Sequence, residues 1–159
     1  MSSVPSILKN AYTSNFMNCA GFLKDVFESL RIPYTPDNAD GLIRQICNTW
    51  TKIGTGLITA PTAIRWATEG YLVVAVLAAS EHAPHKDGSA YKYGHVAVVL
   101  PRAGREGYPV VICGSNDPTG NGRSDGASKS VHGVWRKVDA PHVAYYRTTV
   151  KYSKLVGDK

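Results

Sequence analysis

The sequence changes character at Tyr71, and this change limits the folds open to the chain. Apolar residues recur at helical spacing before Tyr71, whereas continuous apolar runs rich in β-branched residues follow it. Such runs at 71–77 and 93–100 predict strands that are covered on both faces of a sheet. Helices first and strands second predict an α+β domain, in which N-terminal helices pack on an antiparallel sheet of about five strands. We expect residues 1–159 to form this single domain.

The remaining strands are expected late in the chain. They are assigned to residues 108–113, 131–138 and 143–152, where β-branched residues are again frequent. The segment 114–130 is rich in Gly, Ser, Asn and Asp, and it is expected to form a long loop. Loops of that length inside compact domains are usually functional or mobile.

Helices are expected before the first of these strands. The clearest covers residues 19–30, where the apolar side chains fall on one face and either Asn18 or Asn15 can cap the first turn. A later helix carries Cys47 in its apolar stripe, so we expect Cys47 to lie in the core.

Cys19 is the candidate nucleophile because it opens the helix 19–30. The free N–H groups and the positive end of the helix macrodipole at this position favour thiolate over thiol. The alternative is a structural cysteine, because Cys19 precedes Phe22 and Leu23 on the apolar stripe. The helix by itself favours the structural interpretation.

His95 shifts this balance towards catalysis. It stands at the start of an apolar strand, on the same face as Ala97 and Val99, where an imidazole needs a hydrogen-bond partner. A core histidine with such a partner is the alternative. A cysteine that opens a helix and a histidine that opens a central strand are nevertheless the arrangement of papain-like thiol enzymes.

The net charge of +6 indicates an anionic partner. The basic residues are scattered and are not interleaved with aromatic residues, so nucleic-acid binding is not expected. The 3 cysteines are too few for a disulfide scaffold. Because no continuous apolar segment resembles a signal peptide or a membrane span, we expect a product made in the cytoplasm without membrane insertion.

Several short motifs resemble, in the same order, the landmarks of the first family of type VI secretion amidase effectors. The resemblance extends over about residues 18–146, and the strings around Cys19 and His95 are specific when taken together. The motifs are Asn18-Cys19-Ala20-Gly21-Phe22, Asn48-Thr49-Trp50-Thr51-Lys52, Gly70-Tyr71-Leu72-Val73, Tyr93-Gly94-His95-Val96-Ala97-Val98-Val99, Cys113-Gly114-Ser115 and Val134-Trp135.

This resemblance implies an NlpC-like, papain-like fold and a cysteine amidase that cuts peptidoglycan stem peptides between D-glutamate and meso-diaminopimelate. It implies an antibacterial toxin that the type VI secretion apparatus delivers, and that acts in the periplasm of the target bacterium. The implied partners are the stem peptide and a cognate periplasmic immunity protein. The enzyme is expected to be a monomer that needs no cofactor.

By position, the resemblance makes Cys19 the nucleophile and His95 the general base. Cys113 matches a position close to the catalytic histidine, so it is the candidate third member of the site. Because a thiol orients an imidazole weakly, Asn116 or Asp117 just beyond it are the alternatives.

The surroundings of His95 show one departure from the relatives. The loop 81–92 is longer than in those relatives, which leaves the details of substrate recognition open. Side chains near the histidine that could hold stem carboxylates are Tyr91, Lys92, Tyr93 and Arg102. For any one of them, a solvated surface position is the simpler interpretation.

Other functions stay open at this point. One is a non-enzymatic basic module that binds the cell wall or nucleic acid, and another is a housekeeping thiol endopeptidase of the wall. A metal site is not expected, because His82 and His85 lie in a loop and no other pair has zinc spacing. His132 and His142 are expected at the surface or at strand edges.

Overall fold

The computed structural model describes residues 4–115, 124 and 129–152, and it confirms the α+β prediction. The helices are α1 (Val4–Asn15), α2 (Cys19–Leu30), α3 (Ala39–Thr49), α4 (Ala60–Thr68) and the single turn α5 (Val131–Val134). The strands are β1 (Thr51–Thr55), β2 (Tyr71–Leu77), β3 (His95–Ala103), β4 (Pro109–Ile112) and β5 (Ala144–Lys151). None of the described helices is long and apolar enough to cross a bilayer.

The strands form one antiparallel sheet in the order β1-β5-β2-β3-β4. At its centre, Ala75 of β2 lies opposite Ala97 of β3 on one side and Tyr145 of β5 on the other. Both faces of β2 and of the first half of β3 are buried, as their continuous apolar sequences predict. The sheet is therefore the middle layer of the described fold.

Alternating side chains of the central strands enter two separate cores. Val74, Val76, Val96 and Val98 pack beneath α1, α2 and α3, whereas Val73, Ala75, Ala97 and Val99 pack beneath α4 and α5. The apolar stripe of α2 is fully buried on the first of these faces. Burying one such side chain contributes about 1.5–3 kcal/mol before the entropy of ordering, so this stripe anchors the helix that begins at Cys19.

The prediction of a strand at residues 131–138 is wrong. These residues form α5 and a following turn, because Val131 and Val134 are both buried on one side of a single helical turn. The N–H of Val134 donates to the carbonyl of Ser130 at 3.0 Å and closes that turn. The fifth strand is instead β1, an exposed and mostly polar edge strand without apolar alternation, which no sequence pattern predicted.

Two side chains lie in surroundings that differ from those predicted. Cys47 is exposed and not in the core, because the apolar stripe of α3 ends at Ile46, and its thiol interacts with the Tyr146 hydroxyl. His132 is largely buried, with Nε2 lying 3.0 Å from a carboxylate oxygen of Glu106. Neither residue lies in the site described next.

Candidate active site

The turn before α2 positions Cys19. Asn18 is the N-cap, and its side-chain oxygen accepts a hydrogen bond from the N–H of Gly21 at 2.9 Å. A Cβ added at Gly21 would lie 2.6 Å from Oδ1 of Asn15 and 2.8 Å from Nδ2 of Asn18. Glycine is therefore needed here, because the two asparagine side chains close over the first turn of the helix.

The thiol of Cys19 lies against the first residues of β3. Its Sγ is 3.2 Å from the nitrogen of Val96, which donates to it, and 3.3 Å from the carbonyl oxygen of Val96, which accepts from it. Burial raises the pKa of Cys19 to about 12, and the hydrogen bond to Val96 lowers it only in part. Desolvation therefore opposes the thiolate that the field of the helix terminus favours.

His95 is the first residue of β3 and immediately precedes Val96, whose main chain contacts the Cys19 thiol, so both residues belong to the same end of the strand. Nε2 of His95 lies 3.5 Å from Sγ of Cys113. The ring of His95 also meets the Trp135 ring edge-on, with centroids 5.1 Å apart. Cys19 belongs to the core beneath α1 to α3 and Cys113 to the core beneath α4 and α5, so the end of β3 lies between the two thiols.

The carboxylate of Asp40 holds the turn that leads into His95. Its Oδ2 accepts a hydrogen bond from the N–H of Gly94 at 3.1 Å, and its Oδ1 accepts one from the N–H of Ala79 at 3.0 Å. Sequence analysis did not identify Asp40 as part of the site. The only available signal was an acidic residue in the first turn of α3, which is common at helix starts.

Cys113 is the predicted third member that the structure brings to His95. It is fully buried, and burial raises the pKa of its thiol. Its main chain is held by Ser124, whose hydroxyl accepts from the N–H of Cys113 at 3.0 Å and donates to its carbonyl at 3.1 Å. The alternatives Asn116 and Asp117 lie outside the described residues, as does most of the predicted 114–130 loop.

A cleft of about 640 Å³ opens beside His95. Its lining comes mainly from the loop between β2 and β3 and from the segment that follows α5. Of the predicted carboxylate-holding residues, Arg102 does not line it and lies near the far end of β3. Besides His95, the residues that line the cleft include His82, His85, Lys86, Tyr91, Lys92, Tyr93, Ser115, Trp135, Arg136 and Asp139.

His82 and His85 stack on a tyrosine in this cleft. The centroid of the Tyr91 ring is 4.3 Å from that of His82 and 4.1 Å from that of His85, and both pairs are nearly parallel. Burial lowers the pKa of His82. Within residues 4–115, 124 and 129–152, no three His, Cys, Asp or Glu side chains are grouped so as to hold a metal ion.

Comparison with known proteins bears on the origin of this arrangement. The chain is 34% identical to peptidoglycan amidase Tse1 of Pseudomonas aeruginosa over 137 residues, which cover 86% of this chain and 78% of that protein. No protein-family profile matches the chain. Identity at this level over most of both chains shows common descent, and the chain belongs, with Tse1, to the first family of type VI secretion amidase effectors.

Proposed function

We propose that this protein is a cysteine amidase that cuts peptidoglycan stem peptides between D-glutamate and meso-diaminopimelate. Type VI secretion delivers it to the periplasm of a target bacterium, and a cognate immunity protein protects the producing cell. The name of its relative supports the substrate class. The observation that supports the proposal is that the Cys19 thiol contacts the main chain of Val96, while the preceding residue, His95, contacts Cys113 and lines an open cleft.

The reaction begins with removal of the proton from Cys19. Because its pKa is about 12, the resting thiol is neutral at pH 7, and His95 accepts the proton as general base. In the tautomer that carries its proton on Nε2, the imidazole of His95 donates to Sγ of Cys113, 3.5 Å away, and Nδ1 is the nitrogen that accepts. Cys113 thus acts by orienting the imidazole, as far as a weakly accepting thiol can.

Acyl transfer then follows at the sulfur. The Cys19 thiolate attacks the carbonyl carbon of the scissile amide, and the N–H of Cys19, in the first turn of α2, donates to the developing oxyanion. The imidazolium of His95 protonates the departing amine as the C–N bond breaks, which leaves a thioester. Water activated by neutral His95 hydrolyses that thioester, releases the carboxylate product and restores the thiol.

Digestion of purified Gram-negative peptidoglycan tests this function. Wild type, Cys19→Ala and Cys47→Ala proteins are incubated with the same sacculi, and the soluble fragments are identified by mass spectrometry. Cys47 is the matched control, because it is an exposed cysteine that does not line the cleft beside His95. Circular dichroism verifies that each variant is folded.

New fragments that end at D-glutamate are expected from wild type and from Cys47→Ala, and none are expected from Cys19→Ala. Release of the same fragments by folded Cys19→Ala would remove Cys19 as nucleophile. No fragments from folded, reduced wild type would overturn the amidase proposal and favour a wall-binding module.

A further inference from the structure

The loop between β2 and β3 forms one wall of the cleft, and Tyr91 is its centre. The Tyr91 ring stacks on the imidazoles of His82 and His85. The guanidinium carbon of Arg136 also lies 4.6 Å from the centroid of the Tyr91 ring. Stacking with three planar groups restricts the rotation of this ring, so the wall has a defined shape in the free protein.

Arg136 and Asp139 attach this loop to the segment after α5. Arg136 donates to the carbonyl oxygens of Ala83 and Pro84, and its Nε donates to Oδ2 of Asp139 at 2.7 Å. Asp139 is 1% exposed, and its Oδ1 accepts a hydrogen bond from the N–H of Ala83 at 2.8 Å. A buried carboxylate and a forked guanidinium therefore hold the same loop backbone before any substrate arrives.

The attached wall presents positive charge to the cleft. Lys86 and Lys92 both line it with exposed side chains, and in the described part of the chain neither forms an ion pair. The charge of Arg136 is matched by Asp139. The carboxylate of Asp87 accepts hydrogen bonds from the main chain and hydroxyl of Ser89. Nζ of Lys92 lies 5.4 Å from the centroid of the Tyr93 ring, a contact that does not cancel its charge. Both ammonium groups can therefore attract an anionic ligand.

We propose that Lys86 and Lys92 form a carboxylate-binding subsite, which makes the loop wall a determinant of substrate specificity. The subsite selects peptides in which the side-chain carboxylate of the diaminopimelate residue is free over those in which that carboxylate is amidated. It rests on the proposed amidase function, and it defines the preferred substrate class as anionic peptides. Because Arg136 fixes the backbone of the wall, binding has to order only the side chains of the two lysines.

Two synthetic stem tetrapeptides test the subsite. They differ only in the diaminopimelate residue, whose side-chain carboxylate is free in one and a carboxamide in the other. Cleavage is followed with wild type and with K86A/K92A, and binding of the same peptides is measured by calorimetry in a Cys19→Ala background. The matched control is K9A/K52A, which removes the same total charge from exposed lysines outside the cleft.

Wild type is expected to favour the carboxylate peptide by about tenfold in kcat/KM, mostly through KM, since one charge-assisted hydrogen bond is worth about that factor. K86A/K92A should reduce the preference to less than about twofold, and K9A/K52A should retain it. Equal cleavage of both peptides by wild type would overturn the subsite and leave the amidase intact. Preferential binding of the carboxylate peptide with no cleavage by wild type would support the subsite and overturn the amidase.

Discussion

Replacing Gly114 by alanine is expected to displace Cys19. Gly114 follows Cys113 at the end of β4 and lies against the connection between α1 and α2. A Cβ at this position would lie 2.9 Å from the carbonyl oxygen of Asn18 and 3.0 Å from its carbonyl carbon, and it would overlap the carbonyl oxygen of Asn15 more severely. These are main-chain atoms, which cannot rotate away as a side chain does. The clash is relieved only if the connection leading into Cys19 moves.

The size of the effect follows from these contacts. Overpacking typically costs about 1–3 kcal/mol, and main-chain neighbours place this substitution at the upper end. The N–H of Ser115 donates to the carbonyl of Phe16 at 3.0 Å across the same contact, and weakening that bond adds about 1 kcal/mol. A total loss of about 4 kcal/mol lowers Tm by roughly 10 °C in a domain of this size. A shift of about 1 Å at Cys19 lowers kcat by up to about 100-fold.

Thermal unfolding by circular dichroism measures the loss of stability, and kcat on peptidoglycan is measured well below both transitions. Gly133→Ala is the matched control, because the nearest atom to its added Cβ is Cγ of Lys129 at 2.9 Å, part of a flexible side chain. The control is expected to stay within about 1 kcal/mol of wild type. A Gly114→Ala protein with Tm within about 2 °C of wild type and an unchanged kcat would refute the reasoning.

Three further predictions concern the thiols and the loop. Iodoacetamide at pH 7 should modify exposed Cys47 before Cys19, because burial raises the pKa of Cys19 to about 12. The rate of Cys19 modification should rise about tenfold per pH unit between about pH 7 and 9. Equal modification rates of the two cysteines at pH 7, measured by peptide mapping, would contradict this prediction. Cys113→Ala should lower kcat about tenfold and shift the pH–rate profile, because His95 loses its contact at Nε2; an unchanged profile would remove Cys113 from the site. Arg136→Ala should lower the free energy of unfolding by about 2 kcal/mol and speed proteolysis of the loop between β2 and β3, since the buried carboxylate of Asp139 loses its partner. Arg136→Lys should restore little of the stability or of the resistance to proteolysis, because lysine lacks the guanidinium fork.

Local patterns in the sequence were sufficient for the central elements. The bounds predicted for α2 and β2 agree with the structure, because each carries a strong periodicity that tertiary contacts reinforce. Residues 131–138 lack such agreement, since their valines fit either a strand or a helical turn. The helical turn forms because Val131 and Val134 pack against the face of the sheet that lies beneath α4. The edge strand β1 depends on pairing with β5, which is distant in sequence.

In the candidate active site, too, some features follow from the sequence and others depend on tertiary contacts. The sequence by itself determined which residue types open α2 and β3, and so it predicted Cys19 and His95 as the candidate reactive pair. Only the tertiary structure shows that the thiol is buried, and this burial raises a pKa that the helix start and the hydrogen bond from Val96 lower. The contact of Cys113 with His95 likewise depends on the pairing of β3 with β4. The hydrogen bonds from Arg136 to the loop between β2 and β3 join residues more than fifty positions apart in sequence. Local sequence patterns carry no information about such contacts.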